Sequence, residues 1–224
     1  MTVAYLLQKI LQELQHSFIT VRFEVADTIN TKEGIECSGF FDQEINTLAV
    51  AIEDDGWFLV LLHEYCHFKQ WQEGLWSSEA HIALETGRDK WVLGQQEMTD
   101  YDVLKATRSI QECELDCEKR VVAMIQEHNL SVDTQEYTRL SNAYVLSFEV
   151  ERLQRKVLHN GSSQGAPFMP NIFITDFSTF PSGYKEAVLF NDLVERPVLD
   201  EELPIVIGQY IDIDISDMYA RIPG

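Results

Sequence analysis

His63, Glu64 and His67 stand in the run His63-Glu64-Tyr65-Cys66-His67. Two histidines four residues apart on a helix project from the same face, so their imidazoles can converge on one metal ion, and zinc is the ion that such a pair suits. A glutamate directly after the first histidine is placed to take a proton from a water on that ion. The chemistry this spacing allows is metal-assisted hydrolysis, and it requires the run to lie on a helix. Trp57 to Leu62 before it is apolar, Asp54 or Asp55 offers an N-cap and Gly74 a stop, which together predict a helix over 57–72.

A hydrolytic zinc site needs a third protein ligand and leaves a fourth position for water or substrate. Glu114, in Glu114-Leu-Asp-Cys-Glu118, is the candidate. Val103, Ala106, Ile110, Cys113, Cys117, Val121 and Met124 form an apolar stripe at helical period, and Glu114 falls at its edge one turn after Ile110. An ionised carboxylate on a buried face is costly unless a positive charge meets it, and a metal ion would do so. The competing reading is a boundary carboxylate paired with Arg108 or Arg120. Glu118, one turn further along the same edge, can accept a hydrogen bond from the other ring nitrogen of a ligand histidine and fix its tautomer. Asp116 and Glu112 are expected to face solvent.

These two motifs together resemble the gluzincin branch of the zincin metallopeptidases, in which the third ligand is the first glutamate of an ExxxE/D helix. They are most similar to peptidases with an ExEADR-like element, the type that includes prenyl-protein and membrane quality-control proteases. The resemblance covers Gly39 to His128. It implies Glu114 as ligand, Glu118 as the supporting acid, and Lys119 or Arg120 as the basic residues that follow. It also implies an α+β zincin-like fold with a small antiparallel sheet, the histidine helix and a second metal-ligand helix, acting on a peptide or protein substrate. Cys117 stands where these relatives usually carry alanine, and the membrane spans of those proteases have no counterpart here. The other zincin pattern, HExxHxxGxxH, is absent, because Gln70 replaces its glycine and no third histidine follows.

Two alternatives stay open at this level. Cys113 and Cys117 are also four apart, so a closed site of Cys113, Cys117, His63 and His67 is conceivable, although both cysteines equally fit the stripe as small hydrophobes. The zinc could likewise serve only to hold two helices of a protein-binding module together. Hydrolysis needs a donor for the developing oxyanion, for which Tyr144 and His81 are candidates, each also explicable as packing.

The elements that must position these residues are legible from periodicity. Leu6, Leu7, Ile10, Leu11, Leu14 and Phe18 predict a helix over 3–17, and Phe18 to Val25 a strand. Gly39–Phe41 and Thr47–Ile52 read as a hairpin turned at 42–46, placed to offer an edge to extended peptide or simply to build the sheet. Helices are expected near 78–93, from Thr99 to about 128 with Asp102 as the capping acid, and over 134–159. After Gly161-Ser-Ser-Gln-Gly-Ala-Pro the texture changes, so 1–160 reads as one domain and 161–224 as an irregular extension.

The formal net charge of −20 disfavours nucleic acid or an anionic membrane as partner. The apolar run at 57–62 is far short of the roughly 20 residues a membrane helix requires, and the N-terminus lacks a basic start. Four cysteines at 37, 66, 113 and 117 do not form a secreted framework, so a cytoplasmic setting is expected. The sequence does not fix an oligomeric state.

Overall fold

A computed structural model of the chain describes residues 3–155 apart from Glu33 and Asp54. The expected extension at 161–224 and the end of the last helix lie outside the described residues. Those residues gather into two compact units, 3–82 with 113–134 and 83–112 with 135–155. The class is mixed helix and sheet. Among the described residues no helix is long and apolar enough to cross a membrane.

The first unit begins with α1 (Val3–His16), which buries Leu6, Ile10 and Leu14. Its end corrects the expectation that Phe18 opens a strand. Ile19 N–H returns to the Leu14 carbonyl at 2.9 Å and Phe18 N–H to that of Gln15 at 3.1 Å, the bond pattern of a left-handed helix stop. Phe18 holds φ +59° there and is exposed. The strand β1 (Thr20–Glu24) starts two residues later. A short ladder of β2 (Ile29–Asn30) and β3 (Glu36–Cys37) follows, then β4 (Gly39–Asp42) and β5 (Thr47–Ala51).

The hairpin lies where periodicity put it, with Phe40 opposite Ala49 and Asp42 opposite Thr47. The sheet as a whole is not antiparallel. Its order is β1-β5-β4, and β1 runs parallel to β5 with Thr20 opposite Thr47 and Glu24 opposite Ala51. Parallel neighbours need a long crossover, which residues 25–46 supply. The central place of β5 explains its composition, because every residue of Thr-Leu-Ala-Val-Ala is buried.

The helix α2 (Trp57–Gln72) packs on β4 and β5. Its cap differs from expectation: Gly56 is the N-cap and no side chain caps it, while Asp54 lies outside the described residues. Its C-terminus is as predicted, with Gly74 at φ +74° and Leu75 N–H returning to the Gln70 carbonyl at 2.9 Å. Glu13 on α1 ties to α2 by accepting from Tyr65 Oη at 2.5 Å and Lys69 Nζ at 2.6 Å. Beyond α2 come α3 (Glu79–Val92), α4 (Asp100–His128) and α5 (Thr134–Gln154). Thr99 starts α4 as expected, with Asp102 N–H donating to its hydroxyl at 3.1 Å and that hydroxyl donating to the Asp102 carboxylate at 2.6 Å. In the second unit Arg88 is buried, donating to Glu151 at 2.6 Å and the Phe148 carbonyl at 3.1 Å.

Gly39 sets how closely α2 can approach the sheet. A Cβ at this position would lie 2.6 Å from Val60 Cγ1, 3.1 Å from Glu64 Cγ and 3.1 Å from the Ala49 carbonyl oxygen. Two of those atoms belong to the helix that carries the histidines, and the third is backbone that cannot turn aside. Gly39→Ala is therefore expected to destabilise the fold by about 1–3 kcal/mol, the usual cost of forcing an extra carbon into a packed region. Urea unfolding monitored by circular dichroism checks this through the transition midpoint.

Candidate metal centre

On α2, His63 and Glu64 are buried and His67 is partly so, with 19% of its side chain exposed. On α4, the stripe residues Cys113, Cys117 and Val121 are buried, and Glu114 at their edge keeps 14% of its side chain exposed. The two helices bring three atoms together. His63 Nε2 and His67 Nε2 are 3.0 Å apart, and Glu114 Oε2 lies 3.3 Å from the first and 3.5 Å from the second.

The other ring nitrogens decide what these three atoms are. His63 Nδ1 faces Glu118 Oε1 at 3.2 Å, and Glu118 is fully buried. The two atoms stand close without hydrogen-bond alignment, and a carboxylate neighbour, which accepts, favours the proton on Nδ1 and leaves Nε2 for a metal ion. His67 Nδ1 meets Gln70 Oε1 at 2.8 Å, which likewise leaves its lone pair on Nε2. With both rings neutral, three acceptors point at one place, and no hydrogen-bond donor is aligned on buried Glu114 Oε2. Lone pairs at such distances repel unless positive charge, a proton or a metal ion, sits among them. Ligands bound tetrahedrally at 2.0–2.1 Å stand about 3.3 Å from one another, the spacing of this triangle. The residues fit a metal ion.

The electrostatics agree. Burial, the largest single influence, opposes charge on the imidazoles, yet the charge and close polar contacts of Glu118 and Glu114 at His63, and of Glu114 and Cys113 at His67, together outweigh it and hold both rings well above the ordinary histidine range. Burial also opposes ionisation of Glu114, and the two histidines overcome that, drawing its carboxyl far below the usual range. Positive charge among these atoms is stabilised, whether it arrives as a proton or as a metal ion. Arg120, the alternative partner proposed for Glu114, is engaged elsewhere: it grips Glu73 through both terminal nitrogens at 2.8 Å and donates from Nε to Asp116 at 2.7 Å. Arg108 is exposed.

Glu64 lies between α2 and β4. It accepts a hydrogen bond from the Phe41 backbone N–H. Burial pushes its carboxyl up, against the pull of His63 and His67, in the direction a general base working near neutral pH needs. Cys37, close enough to feel the Glu64 charge, is pushed up to about 12 by burial first and that charge second. It stays a thiol, whereas metals bind the thiolate.

Cys117 competes for the third position, since its Sγ and a ring nitrogen of each histidine lie within 4.8 Å of one another. Its thiol donates to the His63 carbonyl at 3.2 Å. Burial, the hydrogen bond with Cys66 and nearby carboxylates hold it well above the ordinary cysteine range. Glu114, already ionised and aimed at both Nε2 atoms, is the better ligand. Cys113 Sγ lies 4.0 Å from His67 Nδ1, on the ring edge away from Nε2, and 3.6 Å from Gln70 Oε1. The two sulfurs therefore do not complete a closed site at the Nε2 atoms. All four cysteines are free and buried.

The structure corrects one sequence expectation and adds one residue. Asp116 does not simply face solvent, because it accepts from Arg120 and, at 2.9 Å, from Gln70 Nε2. Gln70 itself carried no functional signal in the sequence beyond replacing a glycine. Its position three residues after His67 on the same helix face was the available clue. Glu112 is exposed, as expected. His81 is buried, with a ring nitrogen within 4.8 Å of Cys113 Sγ. Tyr144 is buried in the second unit, edge-on to Phe148 with centroids 5.2 Å apart.

No protein-family model, curated protein or solved structure matches this chain.

Proposed function

We propose that the chain is a zinc-dependent peptidase in which His63, His67 and Glu114 hold the ion and Glu64 is the general base. The observation that carries this reading is the convergence of three acceptor atoms within 3.0–3.5 Å of one another beside a buried glutamate. Two imidazoles and a carboxylate form a donor set that suits zinc and keeps a position open to solvent or substrate. When bound, zinc supplies Lewis acidity and a lowered pKa for water. Glu64 takes the proton of the attacking water and passes it to the departing amine. Glu118, 3.2 Å from His63 Nδ1, would orient that ring by accepting from Nδ1–H.

Peptide is received at β4. That strand is at the edge of its sheet among the described residues. The bond from Ala51 N–H to the Ser38 carbonyl at 2.8 Å, with the hairpin register, turns the backbone groups of Gly39 and Phe41 away from β5. Phe41 N–H is engaged by Glu64 and Gly39 N–H by Cys37 Sγ, so the outer edge offers chiefly carbonyls. An extended peptide docks there by donating its own N–H groups, with little demand on sequence.

One observation favours a second reading, a non-catalytic zinc-stabilised binding module: the Glu64 carboxylate is buried and already accepts from Phe41. Cleavage of an unstructured polypeptide by the zinc-loaded wild type, set against the Glu64→Gln variant, separates the two. A wild type that binds zinc and cleaves nothing across a broad peptide library overturns the peptidase reading in favour of the module.

A further inference from the structure

We infer that Gln70 is a positioning residue that fixes the tautomer and orientation of His67, and that Asp116 and Arg120 hold Gln70 in the one amide orientation able to do so. The inference rests on the proposed zinc site for the purpose it gives His67.

An amide can face a histidine with either its oxygen or its nitrogen, and the two choices demand opposite tautomers. Here the choice is made by atoms other than the histidine. The Gln70 side chain points one terminal atom at the Cys113 carbonyl oxygen, 2.9 Å away, and at Asp116 Oδ2, also 2.9 Å away. A carbonyl and an ionised carboxylate only accept, so the atom facing both is Nε2, the donor. Oε1 is then turned to His67 Nδ1 at 2.8 Å, and that nitrogen must carry the proton. Gln70 is 2% exposed, so water does not compete for these bonds.

Asp116 is itself held. Arg120 Nε donates to the same Oδ2 at 2.7 Å, and the guanidinium forks onto both carboxylate oxygens of Glu73 at 2.8 Å. Glu73 caps the C-terminus of α2, the helix that carries His67. The connection therefore closes on itself: from His67 through Gln70 to α4, then through Asp116 and Arg120 back to the end of α2. Such a two-armed bidentate arrangement resists rotation in a way a single ion pair does not. His63 has a different neighbour at Nδ1, the Glu118 carboxylate 3.2 Å away. The two ligand rings are thus oriented by chemically distinct groups that can be altered one at a time.

Gln70→Met keeps the length and volume of the side chain on a good helix former while removing the acceptor. It is expected to weaken zinc binding by about 10–100-fold, the usual effect of losing a group that orients a ligand histidine. Asp116→Ala should weaken it in the same direction by less, since the Cys113 carbonyl still holds the amide. Affinities come from competition with a chromophoric zinc chelator, and circular dichroism reports whether the fold is kept. A packing role alone would not alter the second readout, nitrogen-15 NMR of the histidine rings. In the zinc-loaded wild type His67 should show a slowly exchanging proton on Nδ1. In Gln70→Met that proton should exchange rapidly with water while the Nδ1 proton of His63 is unchanged. Zinc binding by Gln70→Met within about threefold of wild type, far inside the effect of losing such a group, would overturn the inference. So would a wild-type His67 proton found on Nε2, a result that needs no variant to fold. If instead wild type binds zinc and Glu114→Ala binds it equally well, the zinc-site reading fails by itself, and the ring tautomers still decide the role of Gln70.

Discussion

Glu114→Ala is expected to lower zinc affinity by at least about 1,000-fold, well beyond the roughly 10–100-fold that follows loss of a group supporting a ligand. Glu114 supplies the only anionic atom of the triangle, 3.3 and 3.5 Å from the two Nε2 atoms. Its removal leaves two neutral imidazoles to hold a divalent ion. The same change removes the charge partner that the two histidines have in the metal-free protein, so circular dichroism on the variant checks that the fold is kept. Glu112→Ala on the exposed side of the same helix should bind zinc like wild type. The comparison is made by chelator competition on each variant. Equal retention of zinc by the Glu114 and Glu112 variants would take Glu114 out of the site and make Cys117, whose sulfur lies within 4.8 Å of the ring nitrogens, the next ligand to examine.

Glu64→Gln is expected to keep the zinc and to reduce hydrolysis by about 10²–10⁴-fold, the range a positioned proton acceptor contributes. The substitution keeps the shape of a side chain packed against Gly39, and its amide oxygen can still accept from Phe41 N–H. What it removes is the ability to take up a proton. None of the three converging atoms belongs to Glu64, so zinc content measured by atomic emission should be unchanged. The check is a kcat comparison on one unstructured polypeptide. A Glu64→Gln protein that cleaves as fast as wild type would show that another group handles the proton.

The parts of this arrangement set by local spacing were readable in advance. His63 and His67 share a helix face because four residues make about one turn, and Glu114 and Glu118 follow Ile110 along a stripe whose burial the structure reproduces at Cys113, Cys117 and Val121. The hairpin and the glycine stop at Gly74 were legible for the same reason. What depended on contacts between distant segments was not. Asp116 lies off the stripe, and the stripe alone gives no hint that Gln70 and Arg120 reach it from either side. The parallel pairing of β1 with β5 depends on how residues 25–46 cross over, which alternation within a strand does not encode. Phe18 shows a local signal overridden: a β-forming aromatic took the left-handed place that ends α1.

X-ray absorption at the zinc edge of the purified, zinc-loaded protein tests the central claim most directly. About one zinc per chain should be found, with nitrogen and oxygen neighbours at about 2.0–2.1 Å and no sulfur near 2.3 Å. Absence of bound zinc after loading, or two sulfur neighbours at that longer distance, would contradict a centre built from His63, His67 and Glu114.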